Sequence, residues 1–126
     1  MYSVISTAIL HGISAILVQV ETDISNGMPS FEMVGFLSAE VREAKERVRA
    51  ALKNCELALP VKRITINISP AFIKKSGSGF DLPIAVSILT AQHLIPDDLG
   101  DQLFVVGEMG LDGSVRGING FLPMVM

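Results

Sequence analysis

One cysteine, Cys55, and two isolated histidines are all the soft metal-binding chemistry this 126-residue chain holds. A single thiol cannot close an internal disulfide, which fits a reducing cytoplasm rather than an oxidising compartment. His11 and His93 lack metal-ligand spacing, and Asp23, Asp81, Glu108 and Asp112 fall on different segments, so no clustered ligand set for a metal is in view. Positive charge is scarce as well. Ten Lys and Arg against thirteen Asp and Glu leave a net charge of −3, so any contact with nucleic acid must come from a local patch. No apolar run approaches the ~18 residues of a membrane span, and the N-terminus has neither the basic start nor the cleavage site of a signal peptide. A Gly-(x)4-Gly-Lys-Ser/Thr sequence is missing too, which excludes ATP hydrolysis by the P-loop route within these residues.

What the chain has in excess is apolar side chains: 49% against 18% charged, with a mean hydropathy of +0.49. A single domain of this size leaves roughly a third of its unfolded-chain surface exposed. So apolar a composition implies a face covered by a neighbouring domain or subunit.

The periodicities give an α+β order, βββαβαββ with a final helix beginning, as a mixed sheet backed by helices. Val4 to Leu10 and Ile13 to Ile24 are rich in β-branched residues and break at Gly12, which predicts a hairpin. Asn26-Gly27 then turns the chain into a third strand, Phe31 to Val34. From Ser38, an N-cap candidate, the period becomes helical: Val41, Ala44, Val48, Ala51 and Leu52 share one face, and Pro60 bars continuation. Ile64, Ile66 and Ile68 alternate with Arg63, Thr65 and Asn67 as a strand with one polar side. Asp81 to Leu94 is apolar nearly all round, as for a helix buried on most sides. Leu103 to Met109 and Ser114 to Arg116 form a last hairpin through Asp112-Gly113. The scattered methionines fill core gaps.

Chemistry concentrates in two stretches, Lys74-Lys75-Ser76-Gly77-Ser78-Gly79-Phe80-Asp81 and Gly107-Glu108 to Asn119-Gly120. Together they resemble the layout of a Lon-type Ser-Lys protease, in which a Lys-x-Gly-Pro-Ser-Ala-Gly loop carries the nucleophile and a later Gly-Glu-(x)4-Gly hairpin leads to the lysine base. Laid on this sequence, Lys75 and Gly77 match, but Gly79 stands where the serine belongs and Leu122 where the lysine belongs. Neither supplies a nucleophile or a base. The resemblance therefore implies a Lon-protease-like, ribosomal protein S5 domain 2-like fold and argues against the reaction.

A narrower family resembles the chain along almost its whole length. Ser25-Asn26-Gly27-Met28-Pro29, Val34-Gly35, Val41 to Leu52, Ile64 to Ala71 and Phe80-Asp81-Leu82-Pro83-Ile84-Ala85 are similar to the N-terminal domain of the YifB/ComM family of magnesium-chelatase-like AAA+ ATPases. Leu37 departs from the proline usual there, and Ser76 from a frequent acidic residue. The resemblance implies a non-catalytic accessory domain, with ATP and Mg bound by an ATPase module elsewhere in the parent chain. It also implies a homo-oligomeric ring, a hexamer, acting on DNA branch migration in recombination and natural transformation, in the cytoplasm and away from membranes. The apolar Phe121 to Met126 stretch reads as a helix cut short, so the chain is expected to be a piece of that longer protein.

Two other functions stay open at this stage, a Lon-type peptidase and a free-standing anion or nucleic-acid binding module. For the first, Ser76 or Ser78 would have to replace the nucleophile with Lys74 or Lys75 as base; adjacent loop residues seldom converge, and nothing in the sequence buries the lysine. For the second, Lys74 and Lys75 precede a helix N-terminus, where free amides favour anions, although the bland reading is a mobile connection. Arg42, Lys45, Arg49 and Lys53 fall in a stripe about 80° wide on the first helix that suits a phosphate backbone. Against that stands a solvated face on which Arg42 pairs with Glu46 and Glu43 with Arg47.

Overall fold

A computed structural model of the protein describes residues 1–11, 14–57, 59–77, 79–95, 105 and 107–116. Two long strands, β1 (Tyr2–His11) and β2 (Ser14–Ser25), run antiparallel in unbroken register from Tyr2↔Asp23 to His11↔Ser14. The Asn26-Gly27 turn leads to β3 (Ser30–Val34), and a helical crossover returns the chain to β4 (Arg63–Ser69). β4 pairs antiparallel with β2 and parallel with β3, so the sheet order is β1-β2-β4-β3. The architecture is α+β with a mixed sheet, as the periodicity indicates. Among the described residues β3 is an edge strand.

Strand alternation decides which face is buried. Val18, Val20, Thr22 and Ile24 of β2 and Ile64, Ile66 and Ile68 of β4 are almost wholly removed from solvent on one side. Each such isoleucine contributes about 1.5–3 kcal/mol relative to exposure. The helices cover this face.

The first helical segment is two helices: α1 (Ala39–Arg42) and α2 (Ala44–Asn54). Ser38 caps α1 as its type and position suggest, its Oγ accepting from the Val41 amide at 3.3 Å. The expected single helix breaks at Glu43, where the Glu46 amide bonds back only three residues, to the Glu43 carbonyl at 3.0 Å. The apolar face is nevertheless continuous, for Val41, Ala44, Val48, Ala51 and Leu52 are all buried.

α2 stops earlier than Pro60 requires. The Leu57 amide donates to Leu52 O and the Glu56 amide to Lys53 O, with Glu56 in the left-handed region at φ 61°. This is a Schellman ending without glycine. The third helix, α3 (Asp81–Ala91), ends the same way: Leu94 donates to Leu89 O, His93 to Thr90 O, and His93 has φ 62°. α3 is buried on most sides, as its apolar composition predicts. A small hairpin of β5 (Glu108–Met109) and β6 (Val115–Arg116) turns through Asp112-Gly113. Gly113, at φ 92°, packs against Cys55 Sγ, which would have to move to admit a β-carbon, and Asn54 Nδ2 donates to Leu111 O at 2.6 Å. The hairpin is thereby docked on the end of α2. The rest of the strand expected from Leu103 lies largely outside the described residues, as does the helix expected after Gly120.

Candidate functional site

The C-terminal ends of β3 and β4 lie side by side because these strands are parallel. Their outgoing loops therefore meet. Gly35, at φ 128°, lets the first loop pass the Ile68 carbonyl, which would stand 2.6 Å from any β-carbon placed there. The Lys75 amide then donates to Phe36 O at 2.8 Å and the Ser38 amide to Lys75 O at 2.9 Å, a parallel bridge between Leu37 and Lys75. Backbone bonds thereby hold Lys75, near the start of residues 74–79.

The same bridge separates the two lysines. Extended backbone alternates its side chains, so Lys74 stays exposed, its Nζ 5.9 Å from the centroid of the Phe36 ring, while the Lys75 side chain is fully buried. Lys75 Nζ donates to Pro70 O at 2.5 Å. Burial away from water pushes its ammonium below the usual lysine value. Two expectations fall here. The fold does bury a lysine of this loop, and Lys75 drops out of the surface cations available to an anion. The ammonium is turned to Pro70 O and Ser76 is exposed; Ser78 lies outside the described residues.

Gly79 occupies the expected junction. Its carbonyl accepts from the Gly107 amide at 3.4 Å, and the Leu82 amide donates to Gly107 O at 3.1 Å. The two stretches singled out in the sequence are thus neighbours in space, joined through backbone atoms. Leu122 lies outside the described residues.

Asp81, read from sequence as a helix opener, is fully buried and held by a two-point contact. Arg47 Nε reaches Asp81 Oδ2 at 2.7 Å and Arg47 Nη2 reaches Oδ1 at 3.0 Å. That hydrogen bonding raises the guanidinium's pKa above its already high value. Local spacing pairs Arg47 with Glu43, and this contact exists at 4.0 Å, but it is the weaker one.

On the stripe of α1 and α2, Glu46 goes to Arg49 at 3.8 Å rather than to Arg42. Arg42 Nε instead approaches Leu37 O at 3.5 Å. Arg49 also lies 6.0 Å from the centroid of the Phe31 ring. Lys45 is half-buried and Lys53 exposed. Arg42 and Lys45 line one side of a 240 Å³ cavity whose other side is Phe31, Glu32 and Met33 of β3. The stripe therefore borders the sheet edge, a relation that helical spacing alone does not contain.

The sequence reading also missed a buried hydroxyl group set: Ser3 Oγ donates to Ser87 O at 2.6 Å, and Thr22 Oγ1 meets Ser87 Oγ at 2.5 Å. These hydroxyls satisfy one another between β1, β2 and α3, with no base among their hydrogen-bond partners. Among the described residues no cluster of three or more His, Cys, Asp or Glu is placed to hold a metal ion, and no helix is long and apolar enough to cross a membrane.

A family model for subunit ChlI of Mg-chelatase matches residues 20–126. The chain is 43% identical over 115 residues to the Competence protein ComM of Haemophilus influenzae, covering 91% of this chain and 23% of that protein. It is 40% identical over 118 residues to the uncharacterized protein YifB of Escherichia coli, covering 94% and 23%. Identity to YifB of Salmonella typhimurium is 41% over 120 residues, covering 91% and 24%. The chain thus spans about a quarter of the length of these curated relatives. With the family match covering most of its residues, the chain belongs to the Mg-chelatase ChlI family and corresponds to the N-terminal domain of its ComM/YifB members.

Proposed function

We propose that this chain is a non-catalytic accessory domain of a Mg-chelatase-like AAA+ ATPase, and that the parent protein assembles as a cytoplasmic hexameric ring and drives branch migration of DNA in recombination and natural transformation. The name of the Haemophilus relative, a competence protein, supports the last point. The observation that carries the accessory role is Gly79. In a Lon-protease-like fold, which the element order and the adjacency of Gly79 to Gly107 support, that position supplies the nucleophile. Here it offers only backbone, already bonded to the Gly107 amide.

ATP and Mg belong to the remainder of the parent, because the residues here do not fit a nucleotide. A P-loop needs its lysine directed at phosphate from the start of a helix. Lys75 turns inward to Pro70 O and Lys74 leans on Phe36. In the ring, the exposed ammonium of Lys74 supplies this domain's contact with DNA, repeated from copy to copy so that weak single contacts add. A direct test is to assay the parent protein and this chain in parallel for ATP hydrolysis and for peptide cleavage. The reading requires DNA-stimulated ATPase activity in the parent alone and no peptidase activity in either.

A further inference from the structure

Among the described residues no strand pairs with β3 on its outer side, and the hydrogen-bonding groups of that edge can be assigned from register. Ser30 stands opposite Arg63 in the parallel ladder, and its amide donates to Lys62 O at 3.4 Å. In a parallel pair alternate residues bond to the same neighbour. Ser30, Glu32 and Val34 therefore face β4, and the N–H and C=O of Phe31 and Met33 point to the open side. The opposite edge differs, since Ser6 O of β1 already accepts from the Val105 amide at 3.1 Å.

Cations border the open edge. Arg42 and Lys45 share the 240 Å³ cavity with Phe31 and Met33, and Arg49 and Lys62 share a second cavity of 260 Å³ with Ser30 and Phe31. Arg42 ends α1, and Lys45 and Arg49 follow on α2 across the break at Glu43. Against these cations stand Glu32, which lines the same 240 Å³ cavity from β3, and Glu46, which is engaged with Arg49, so that three cations on the helices face two carboxylates. Val34 is 46% exposed at the end of the groove.

We propose that the groove between β3 and the α1–α2 basic face is a docking site for an extended acidic segment of a partner polypeptide, which adds to β3 as a fifth strand. Two features select a peptide over a nucleic-acid backbone. A phosphate is only an acceptor and cannot satisfy the Phe31 and Met33 carbonyls, whereas a peptide supplies donors and acceptors at the strand's own repeat. Acidic side chains at alternate positions then face Arg42, Lys45 and Arg49 in charge-assisted contacts.

The test uses fluorescence anisotropy with a labelled eight-residue peptide of alternating Glu and Val. Three comparison probes accompany it: the Lys-for-Glu peptide, the acidic peptide N-methylated at alternate residues, and single-stranded oligothymidylate. The acidic peptide binds and slows hydrogen exchange at the Phe31 and Met33 amides. N-methylation of the probe, or Arg42→Glu with Lys45→Glu and Arg49→Glu in the protein, weakens binding about tenfold or more. Met33→Pro removes an outward donor without breaking a bond to β4 and has the same effect. Should a charge-reversed variant fail to fold, the N-methylated probe on the unaltered protein still decides. The proposal is overturned if the acidic peptide does not bind, if the basic or N-methylated peptide binds equally well, or if oligothymidylate displaces the acidic peptide from this groove.

Discussion

Arg47 and Asp81, thirty-four residues apart in sequence, meet through both carboxylate oxygens at 2.7 and 3.0 Å, and the Asp81 side chain has no exposure to solvent. This fork ties α2 to the first turn of α3, where a negative charge also suits the helix dipole. Arg47→Ala leaves a buried carboxylate without its partner and should destabilise the fold by about 3–5 kcal/mol. Arg47→Lys should recover only part of this, because an ammonium cannot reproduce the fork. Urea unfolding of the three proteins checks the order; an Arg47→Ala loss near that of an exposed pair, under about 1 kcal/mol, contradicts the assignment.

Lys75 gives a pH signature. Its folded pKa lies below the ordinary lysine value of 10.5 because burial disfavours the ammonium. Below that lowered value both states are protonated and the folded state bears the whole desolvation penalty. Between it and 10.5 the unfolded chain binds more protons, so stability rises with pH. Lys75→Met, close in length and uncharged, should be the more stable protein at neutral pH, with its advantage shrinking as pH climbs through that window. Thermal melts of both proteins from neutral to alkaline pH measure the gap. A gap that stays constant with pH means that Lys75 keeps its charge at no cost.

Much of this fold can be read from local pattern. Ile64, Ile66 and Ile68 alternate because they line one buried face, and Asn26-Gly27 and Asp112-Gly113 turn where left-handed backbone is needed. The candidate site was less legible. Glu43 satisfies the four-residue spacing rule for Arg47, yet the stronger partner is Asp81, which arrives only when α2 packs on α3. Lys75 sits in a polar, glycine-rich run that reads as solvent-exposed loop, and only its bridge to Leu37 turns it inward. Ser3, Thr22 and Ser87 lie on three elements whose contact no spacing encodes. The period of a segment shows which side is buried, but not which neighbour buries it.

Glu56 holds a left-handed conformation that favours glycine, at φ 61°. Its side chain is exposed, and the Schellman bonds at this turn use only backbone. Glu56→Gly should therefore stabilise the protein by about 0.5–1 kcal/mol, while Glu56→Val should destabilise it by a similar amount or more. Differential scanning calorimetry of the two variants tests the sign.

Gly79→Ser restores a hydroxyl at the position of the Lon nucleophile but supplies no base, since Lys75 is engaged with Pro70 O. The variant should neither cleave casein nor be labelled by a serine-directed phosphonate. Mass spectrometry after phosphonate treatment is sufficient as a readout, and adduct formation at residue 79 would mean that a base approaches this turn from elsewhere.

Lys74 and Lys75 are neighbours in sequence with opposite environments, and their alanine variants should separate two kinds of effect. The isolated chain, at a net charge of −3, should bind DNA with a Kd no tighter than the order of 10⁻⁴ M and lose it as salt rises. If the parent protein acts on DNA as proposed, Lys74→Ala in it should reduce the salt dependence of DNA binding and any stimulation of ATPase activity by DNA, with basal hydrolysis and melting temperature unchanged. Lys75→Ala should alter stability, because it empties a buried site, and should not touch the salt slope because its ammonium never meets a phosphate. If Lys75→Ala shifts the slope and Lys74→Ala does not, the inward turn of Lys75 is reversed on DNA and the bridge to Leu37 opens. If neither variant shifts it, this loop makes no phosphate contact and the proposed DNA role of Lys74 is withdrawn.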